Sequence, residues 1–166
     1  MRMIDVGDKP RTDRVAVARG SVSMSAATLR ILRRGEAEKG DVLAAARLAG
    51  ILAAKRTPDI VPLCHPIALS GTDVTAVARP GRVVVTATVR TTDRTGVEME
   101  ALAAVAAACL TVYDMLKRYE RGMRIEAIEL IEKSGGRTGR WVRPRPGRRP
   151  ARARAPRARS SRTRGG

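Results

Sequence analysis

Asp114 and Lys117 are the two side chains in this sequence whose types and spacing best suit proton transfer. They stand three positions apart in a stretch that we predict to be helical, so they neighbour each other on the helix surface. A carboxylate and an ammonium so placed can exchange protons with a bound molecule. They can equally form an ordinary surface ion pair that contributes less than about 1 kcal/mol. The spacing alone leaves both interpretations open.

Lysine is scarce in this chain. The sequence contains 33 Lys and Arg residues, and the lysines among them are Lys9, Lys39, Lys55, Lys117 and Lys133. Arg stays protonated, whereas Lys is a compact ammonium whose pKa falls when it is buried. The retained lysines therefore suit proton transfer or a single contact with a phosphate group. Simpler explanations exist for some of them, because Lys55 can interact with the negative end of a helix and Lys9 and Lys39 can be solvated.

His65 is the only histidine, and it follows Cys64 in the apolar segment 63–66. Its ordinary pKa lies near neutrality, which suits acid or base catalysis. A lone histidine beside a cysteine is also common as a buried residue that only forms hydrogen bonds. Cys64, Cys109 and His65 lack the spacing of a zinc site, so we predict no metal centre.

Two further segments place charged groups next to apolar ones. Glu98 and Glu100 lie in the first turn of a predicted helix, where the helix dipole stabilises carboxylates and by itself explains their presence. Lys133 belongs to the segment 132–136, which we predict to follow the last strand directly.

Alternating helices and strands must position these groups. The hydrophobic periodicity, the caps and the turn residues predict a strand within residues 13–24, a short helix from Ser25 to about Arg34, a helix from Asp41 to Pro58, a hairpin of residues 72–78 and 82–91, a long helix over about 97–120 and a strand over 123–131. This order predicts an α+β fold, a ferredoxin-like sandwich whose helices pack on one face of a mainly antiparallel sheet.

The charge of the chain is concentrated in its last part. The formal net charge is +17, and residues 137–166 hold 12 Arg and no acidic residue. We predict a folded domain over residues 1–140 and a disordered Arg/Pro/Ala-rich tail over residues 141–166, because the tail has almost nothing to bury. The tail is either a solvated appendage or a non-specific ligand for nucleic acid or another polyanion.

The composition also bears on location. Two cysteines make no disulfide framework, which favours the reducing cytoplasm. The first residues lack the hydrophobic stretch of a secretory signal. The longest nearly apolar run, residues 101–112, is too short to span a bilayer, so we expect no membrane association.

Six segments taken together resemble the cyclic pyranopterin monophosphate synthases, the molybdenum cofactor biosynthesis protein C family. They are KGDVL (39–43), AAKRT (53–57), PLCHP (62–66), RTGVEMEAL (94–102), TVYDM (111–115) and EKSGG (132–136). Each segment alone is a weak signal, but their occurrence in this order is specific. The resemblance runs from about Met3 to about Gly139, so the Arg-rich tail lies outside it.

The resemblance implies a lyase that converts 3′,8-cyclo-7,8-dihydro-GTP into cyclic pyranopterin monophosphate and releases pyrophosphate. It implies substrate contacts at Leu63, Cys64, His65, Met99 and Glu100. It makes Asp114 the principal acid/base residue and places Lys39, Glu98, Lys117 and Lys133 at further active-site positions. No cofactor is predicted, and the sequence leaves open whether Mg²⁺ accompanies the pyrophosphate.

One geometric consequence concerns the number of chains in the site. Glu100 and Asp114 are 14 positions apart on one predicted helix, or about 21 Å along its axis. A single small substrate reaches both only if two subunits share the site, so we expect at least a dimer. The resemblance implies a homohexamer built as a trimer of dimers. A nucleic-acid-binding module led by the tail and a catalytically inactive assembly subunit are the alternatives.

Overall fold

A computed structural model describes residues 1–144 of the chain, which form a five-stranded sheet with helices against it. The strands are β1 (Thr12–Ser23), β2 (Gly71–Arg79), β3 (Arg82–Asp93), β4 (Arg124–Ser134) and β5 (Trp141–Val142). The helices are α1 (Ala26–Arg34), α2 (Val42–Ala54), α3 (Thr57–Ile60) and α4 (Glu98–Leu116). The strand order is β2-β3-β1-β4-β5, and every neighbouring pair is antiparallel. The α+β class and the ferredoxin-like sandwich are confirmed.

The core lies between the sheet and the pair α2 and α4. Val83, Val85, Ala87 and Val89 alternate along β3 and are completely buried, which confirms the face predicted for them. Helix α4 packs across β1, β3 and β4, and it comes so close to β1 that a Cβ at Gly20 would lie 2.8 Å from Val105 Cγ1. Glycine at this position lets the helix approach the sheet.

The beginnings of α1 and α2 confirm the predicted caps. Ser25 Oγ accepts a hydrogen bond from the Thr28 N–H at 3.3 Å, and Gly35 ends α1 in the left-handed conformation with φ 69°. Asp41 Oδ1 accepts a hydrogen bond from the Ala44 N–H at 2.9 Å. Both helices therefore begin where local side chains satisfy their free N–H groups.

The predicted end of α2 at Pro58 is wrong. The helix ends at Ala54, and the Thr57 hydroxyl donates to the Ala53 and Ala54 carbonyls, 3.3 and 3.1 Å away. Pro58 instead stands in the first turn of α3, where a residue without an N–H costs no hydrogen bond.

The predicted end of α4 is also wrong, because the helix ends at Leu116 rather than near Glu120. The residues that follow bind elsewhere in the fold. The Glu120 carboxylate accepts hydrogen bonds from the Ser25 N–H at 2.9 Å and the Thr28 hydroxyl at 2.6 Å, and so joins this segment to the start of α1. These tertiary contacts replace the last predicted turn of the helix.

The C-terminal strands extend beyond the predictions. Strand β4 runs to Ser134, so Lys133 lies within the strand and pairs with Ala16 of β1. Trp141 and Val142, which the prediction assigned to the tail, form β5 and pair with Lys133 and Glu132. The remainder of the predicted disordered tail, residues 145–166, lies outside the described residues.

Helix α4 has the length and hydropathy of a membrane span, with a mean hydropathy of 1.5 over 18 residues. The apolar run identified in the sequence is part of this longer helix. Half of the 18-residue window is buried, and the helix packs mainly against β1, β3, β4 and α2. Within the described part of the chain, α4 therefore acts as the central helix of the core.

Candidate active site

Asp114 lies between two lysines at the C-terminal end of α4. Lys39 Nζ is 2.5 Å from Asp114 Oδ2, and Lys117 Nζ is 2.6 Å from Asp114 Oδ1. The structure thus brings together three predicted site residues, one of which is 75 positions away in the sequence. We call Lys39, Asp114 and Lys117 the lysine–aspartate cluster.

The two ammonium groups determine the charge state of Asp114. Hydrogen bonds, first from Lys117 and then from Lys39, lower the pKa of its carboxyl group from 3.8 to about 2. The carboxyl group is therefore ionised at neutral pH. In the free chain, the Asp114 carboxylate accepts hydrogen bonds that Lys39 and Lys117 donate.

Glu100 and Cys64 form a second cluster at the opposite end of α4. Glu100 is only 1% exposed, and its Oε1 accepts a hydrogen bond from Cys64 Sγ at 3.5 Å. Its Oε2 is buried and has no hydrogen-bond partner within the described residues. Burial raises the pKa of Glu100, and burial together with the nearby Glu100 raises the pKa of Cys64 to about 11. Glu100 is therefore a buried carboxyl group next to a thiol, unlike an exposed carboxylate in the first turn of a helix.

The other residues predicted to bind substrate surround this pair. Leu63 and His65 flank Cys64 in the sequence, and Met99 precedes Glu100 on α4. Leu63 and Met99 are exposed apolar side chains. Glu98 is partly exposed. Its carboxylate lies against Gly96, in the space that a Cβ at this glycine would occupy.

Lys133 lies beside a large cationic cavity at the end of the sheet where β3 leads into α4. Its Nζ contacts the hydroxyl of Thr138, which lines this cavity of about 820 Å³. The cavity also has four cationic side chains and two acidic ones, namely Lys9, Arg14, Arg94, Arg137, Asp5 and Asp8. Its net positive character suits a polyanion such as a phosphate chain.

Arg14, Arg94 and Arg137 were missed by the sequence analysis, because they come from three distant segments in an Arg-rich chain. Arg14 is held in place by hydrogen bonds from its Nε to the Asp93 carbonyl at 2.9 Å and from its Nη2 to the Arg94 carbonyl at 3.0 Å. The one available signal for Arg94 was its position at the start of the RTGVEMEAL segment.

The two clusters lie at opposite ends of one helix. Glu100 and Asp114 are both on α4, as predicted, and are therefore about 21 Å apart along its axis. Asp114, Lys39 and Lys117 meet at one end, whereas Cys64 and Glu100 meet at the other. Among residues 1–144, no three His, Cys, Asp or Glu side chains gather in a way that could hold a metal ion.

An α+β sandwich with an ionised carboxylate between two ammonium groups and a separate cationic cavity has the features of an enzyme that acts on an anionic substrate. The comparisons with known proteins are specific. A family model described as the MoaC family matches residues 3–136. The chain belongs to this family, which confirms the resemblance carried by the six segments.

Named relatives cover most of the chain. The "Cyclic pyranopterin monophosphate synthase" of Thermomicrobium roseum is 58% identical over 144 residues, which are 86% of this chain and 87% of the relative. The proteins of the same name from Cereibacter sphaeroides and a Methylobacterium species are 57% and 58% identical, each over 84% of this chain and 89% of the relative. The similarity thus covers both clusters.

Proposed function

We propose that this chain is a cyclic pyranopterin monophosphate synthase, which converts 3′,8-cyclo-7,8-dihydro-GTP into cyclic pyranopterin monophosphate and releases pyrophosphate in molybdenum cofactor biosynthesis. Family membership over residues 3–136 and the names of the relatives support this activity. The observation that carries the proposal is the contact of Asp114 with both Lys39 and Lys117. It provides ionised acceptor and donor groups side by side, as a reaction with several proton transfers requires.

The lysine–aspartate cluster is the acid/base centre in this proposal. Opening and reclosing the guanine-derived ring moves protons between nitrogen, carbon and oxygen atoms. Asp114 and Lys117 exchange protons with the opening ring, the carboxylate as acceptor and the ammonium as donor, and the Lys39 ammonium holds the Asp114 carboxylate in position. Glu98 assists from the other end of α4 of a neighbouring subunit.

The Cys64–Glu100 pair and the adjacent residues bind the substrate. Glu100 has a buried oxygen without a partner, and a ligand that donates a hydrogen bond would satisfy it. Leu63, His65 and Met99 complete this part of the site. Lys133 and the cationic cavity beside it stabilise the negative charge that builds up as pyrophosphate leaves.

The active site is shared between subunits in this proposal. A substrate that contacts both Glu100 and Asp114 must lie between the α4 helices of two chains, since these residues are about 21 Å apart along one helix. Leu48 and Leu52 on α2 and Leu110 on α4 are exposed apolar side chains that a second copy can cover. Beyond the dimer, we propose a homohexamer built as a trimer of dimers.

We also propose a domain boundary and a cellular location. The catalytic domain spans residues 1–140 and is extended by the short strand β5. Deleting residues 145–166 should leave turnover unchanged while removing any salt-sensitive binding of nucleic acid. We assign the protein to the cytoplasm because Cys64 and Cys109 are both free thiols.

The test of the activity supplies purified protein with 3′,8-cyclo-7,8-dihydro-GTP and follows pyrophosphate and the pterin product. Formation of both in equal amounts supports the proposal. Absence of both from a folded, assembled protein would refute it. Pyrophosphate without pterin would assign the chain a different reaction of the same substrate.

A further inference from the structure

Lys39 reaches Asp114 from a short segment between two helices, residues 36–41, which we call the Lys39 loop. The side chain of Lys39 is 52% exposed, so packing contributes little to its position. The position of its ammonium group therefore depends on where the backbone of the loop is held. The second half of the loop is anchored by Asp41, the N-cap of α2.

The first half of the Lys39 loop is held by the side chain of Tyr119. The Tyr119 hydroxyl accepts a hydrogen bond from the Glu38 N–H at 2.9 Å and donates one to the Glu36 carbonyl at 3.3 Å. One hydroxyl thus binds two backbone groups, at Glu36 and Glu38, in the segment that leads to Lys39. A Glu38–Arg118 ion pair lies nearby, but both side chains are more than half exposed, and such pairs contribute little.

Tyr119 is joined to the other side of the lysine–aspartate cluster through the backbone. It lies in the turn after α4, where its N–H donates to the Leu116 carbonyl at 2.9 Å. The same end of α4 carries Asp114 and Lys117. Tyr119 therefore connects the segment that provides Lys39 to the helix end that provides the other two groups.

We propose that Tyr119 is a positioning residue, whose hydroxyl fixes the Lys39 loop on the end of α4 and so keeps the Lys39 ammonium on the Asp114 carboxylate. As far as catalysis is concerned, this inference rests on the proposed function. The geometric part concerns the free protein and is independent of any substrate. Among the described residues, the Tyr119 hydroxyl forms hydrogen bonds only with the backbone of the Lys39 loop, so Tyr119 acts through Lys39 and not on the substrate.

The first experiment measures the pKa of the Asp114 carboxyl group by NMR titration in a double-mutant cycle. Lys39 lowers this pKa, so Tyr119→Phe should raise it from about 2 towards 3.8, because the Lys39 ammonium is held less firmly. In a Lys39→Ala chain, the same substitution should have no further effect. Tyr113→Phe is the matched control, since it removes a hydroxyl that donates to the Arg121 carbonyl at 2.9 Å and does not touch the Lys39 loop.

Three results would overturn the inference. The first is an Asp114 pKa that Tyr119→Phe leaves unchanged in a protein with the circular dichroism spectrum of the wild type. The second is a shift of equal size with and without Lys39, since Tyr119 would then act on Asp114 by another route. The third is a shift of the same size in Tyr113→Phe, which would assign the effect to general loosening of this helix end.

The second experiment measures turnover of 3′,8-cyclo-7,8-dihydro-GTP. Tyr119→Phe should lower kcat about fivefold, the loss expected when one hydrogen-bonded anchor is removed, and should change KM less than about twofold. An unchanged kcat would contradict the catalytic part of the inference. If the wild-type chain shows no turnover while the pKa cycle gives the expected result, the proposed function fails and the positioning role of Tyr119 stands.

Discussion

Replacing Glu100 by Gln should change how the stability of the protein depends on pH. The Glu100 carboxyl group is 1% exposed, and one of its oxygens has no hydrogen-bond partner within the described residues. Burial raises its pKa above the ordinary value of 4.5, so the folded state holds this proton at pH values where the unfolded chain has lost it. The free energy of unfolding of the wild-type chain therefore falls as pH rises from about 4.5 to the pKa of the folded state.

The size of the effect follows from the release of a single proton. One group that is protonated in the folded state and ionised in the unfolded state lowers the free energy of unfolding by up to about 1.4 kcal/mol per pH unit. The Gln side chain does not titrate. At pH 4.5 the variant should be about 1 kcal/mol less stable than wild type, because its extra N–H groups need partners in a buried site. This difference should shrink as pH rises, because the wild-type chain alone loses stability.

Urea unfolding followed by far-UV circular dichroism measures this difference between pH 4.5 and 8.5, at a fixed protein concentration because assembly contributes to stability. Glu98→Gln is the matched control, since it makes the same change two positions away at a partly exposed side chain. Cys64 does not titrate in this range in the folded state, because its pKa is raised to about 11, and its titration in the unfolded chain is common to the wild type and the variant. The reasoning would be refuted if the difference in free energy of unfolding between Glu100→Gln and the wild type stayed constant with pH. Such a result would show that the ionised Glu100 carboxylate is well solvated or paired.

Three further predictions concern Asp114, Lys117 and Gly135. Asp114→Asn should retain the circular dichroism spectrum of the wild type and lower kcat/KM at least about 100-fold in the pyrophosphate assay, and near-normal turnover would remove Asp114 from the mechanism. Lys117→Met should raise the pKa of Asp114 from about 2 towards 3.8 in an NMR titration, because the largest cause of the lowering is gone, and an unmoved pKa would contradict the described contact. Gly135→Ala should lower the free energy of unfolding in urea by about 1–3 kcal/mol more than Gly139→Ala. Both glycines have positive φ, but only a Cβ at residue 135 would collide with the Asp13 carbonyl, so equal losses would argue against this packing.

The parts of the fold that were predicted correctly are those determined by local chemistry. Ser25 and Asp41 cap helices with their own side chains, and Pro80 with Gly81 provides the turn between β2 and β3. Such signals need only a few neighbouring residues. The alternation of apolar residues along β3 likewise reports directly which face is buried.

The errors arose where distant contacts override local preference. Helix α4 ends about four residues before its predicted end, because Tyr119 and Glu120 bind the Lys39 loop and α1, and neither contact is visible in the local sequence. Glu100 looked like a carboxylate stabilised by a helix N-terminus, yet the fold buries it beside Cys64. A pattern of residues along one helix does not show which of them the rest of the fold covers.

In the candidate site, too, contacts between neighbouring residues were predicted and contacts between distant segments were not. The i, i+3 pair of Asp114 and Lys117 was predicted from spacing, and the structure confirms their contact. The addition of Lys39 from a segment 75 positions away followed only from the family resemblance. The cationic cavity was not predicted at all, because its arginines come from separate segments and resemble the many other arginines of this chain.

The central claim is that Glu100 of one chain and Asp114 of another serve the same substrate. Mixing inactive Glu100→Ala and Asp114→Ala chains under conditions of subunit exchange tests it most directly. Random pairing in a two-fold symmetric dimer places both intact residues in a quarter of the sites, so the equimolar mixture should recover about a quarter of wild-type turnover. No recovery, with exchange demonstrated by mass spectrometry of labelled chains, would contradict the shared site.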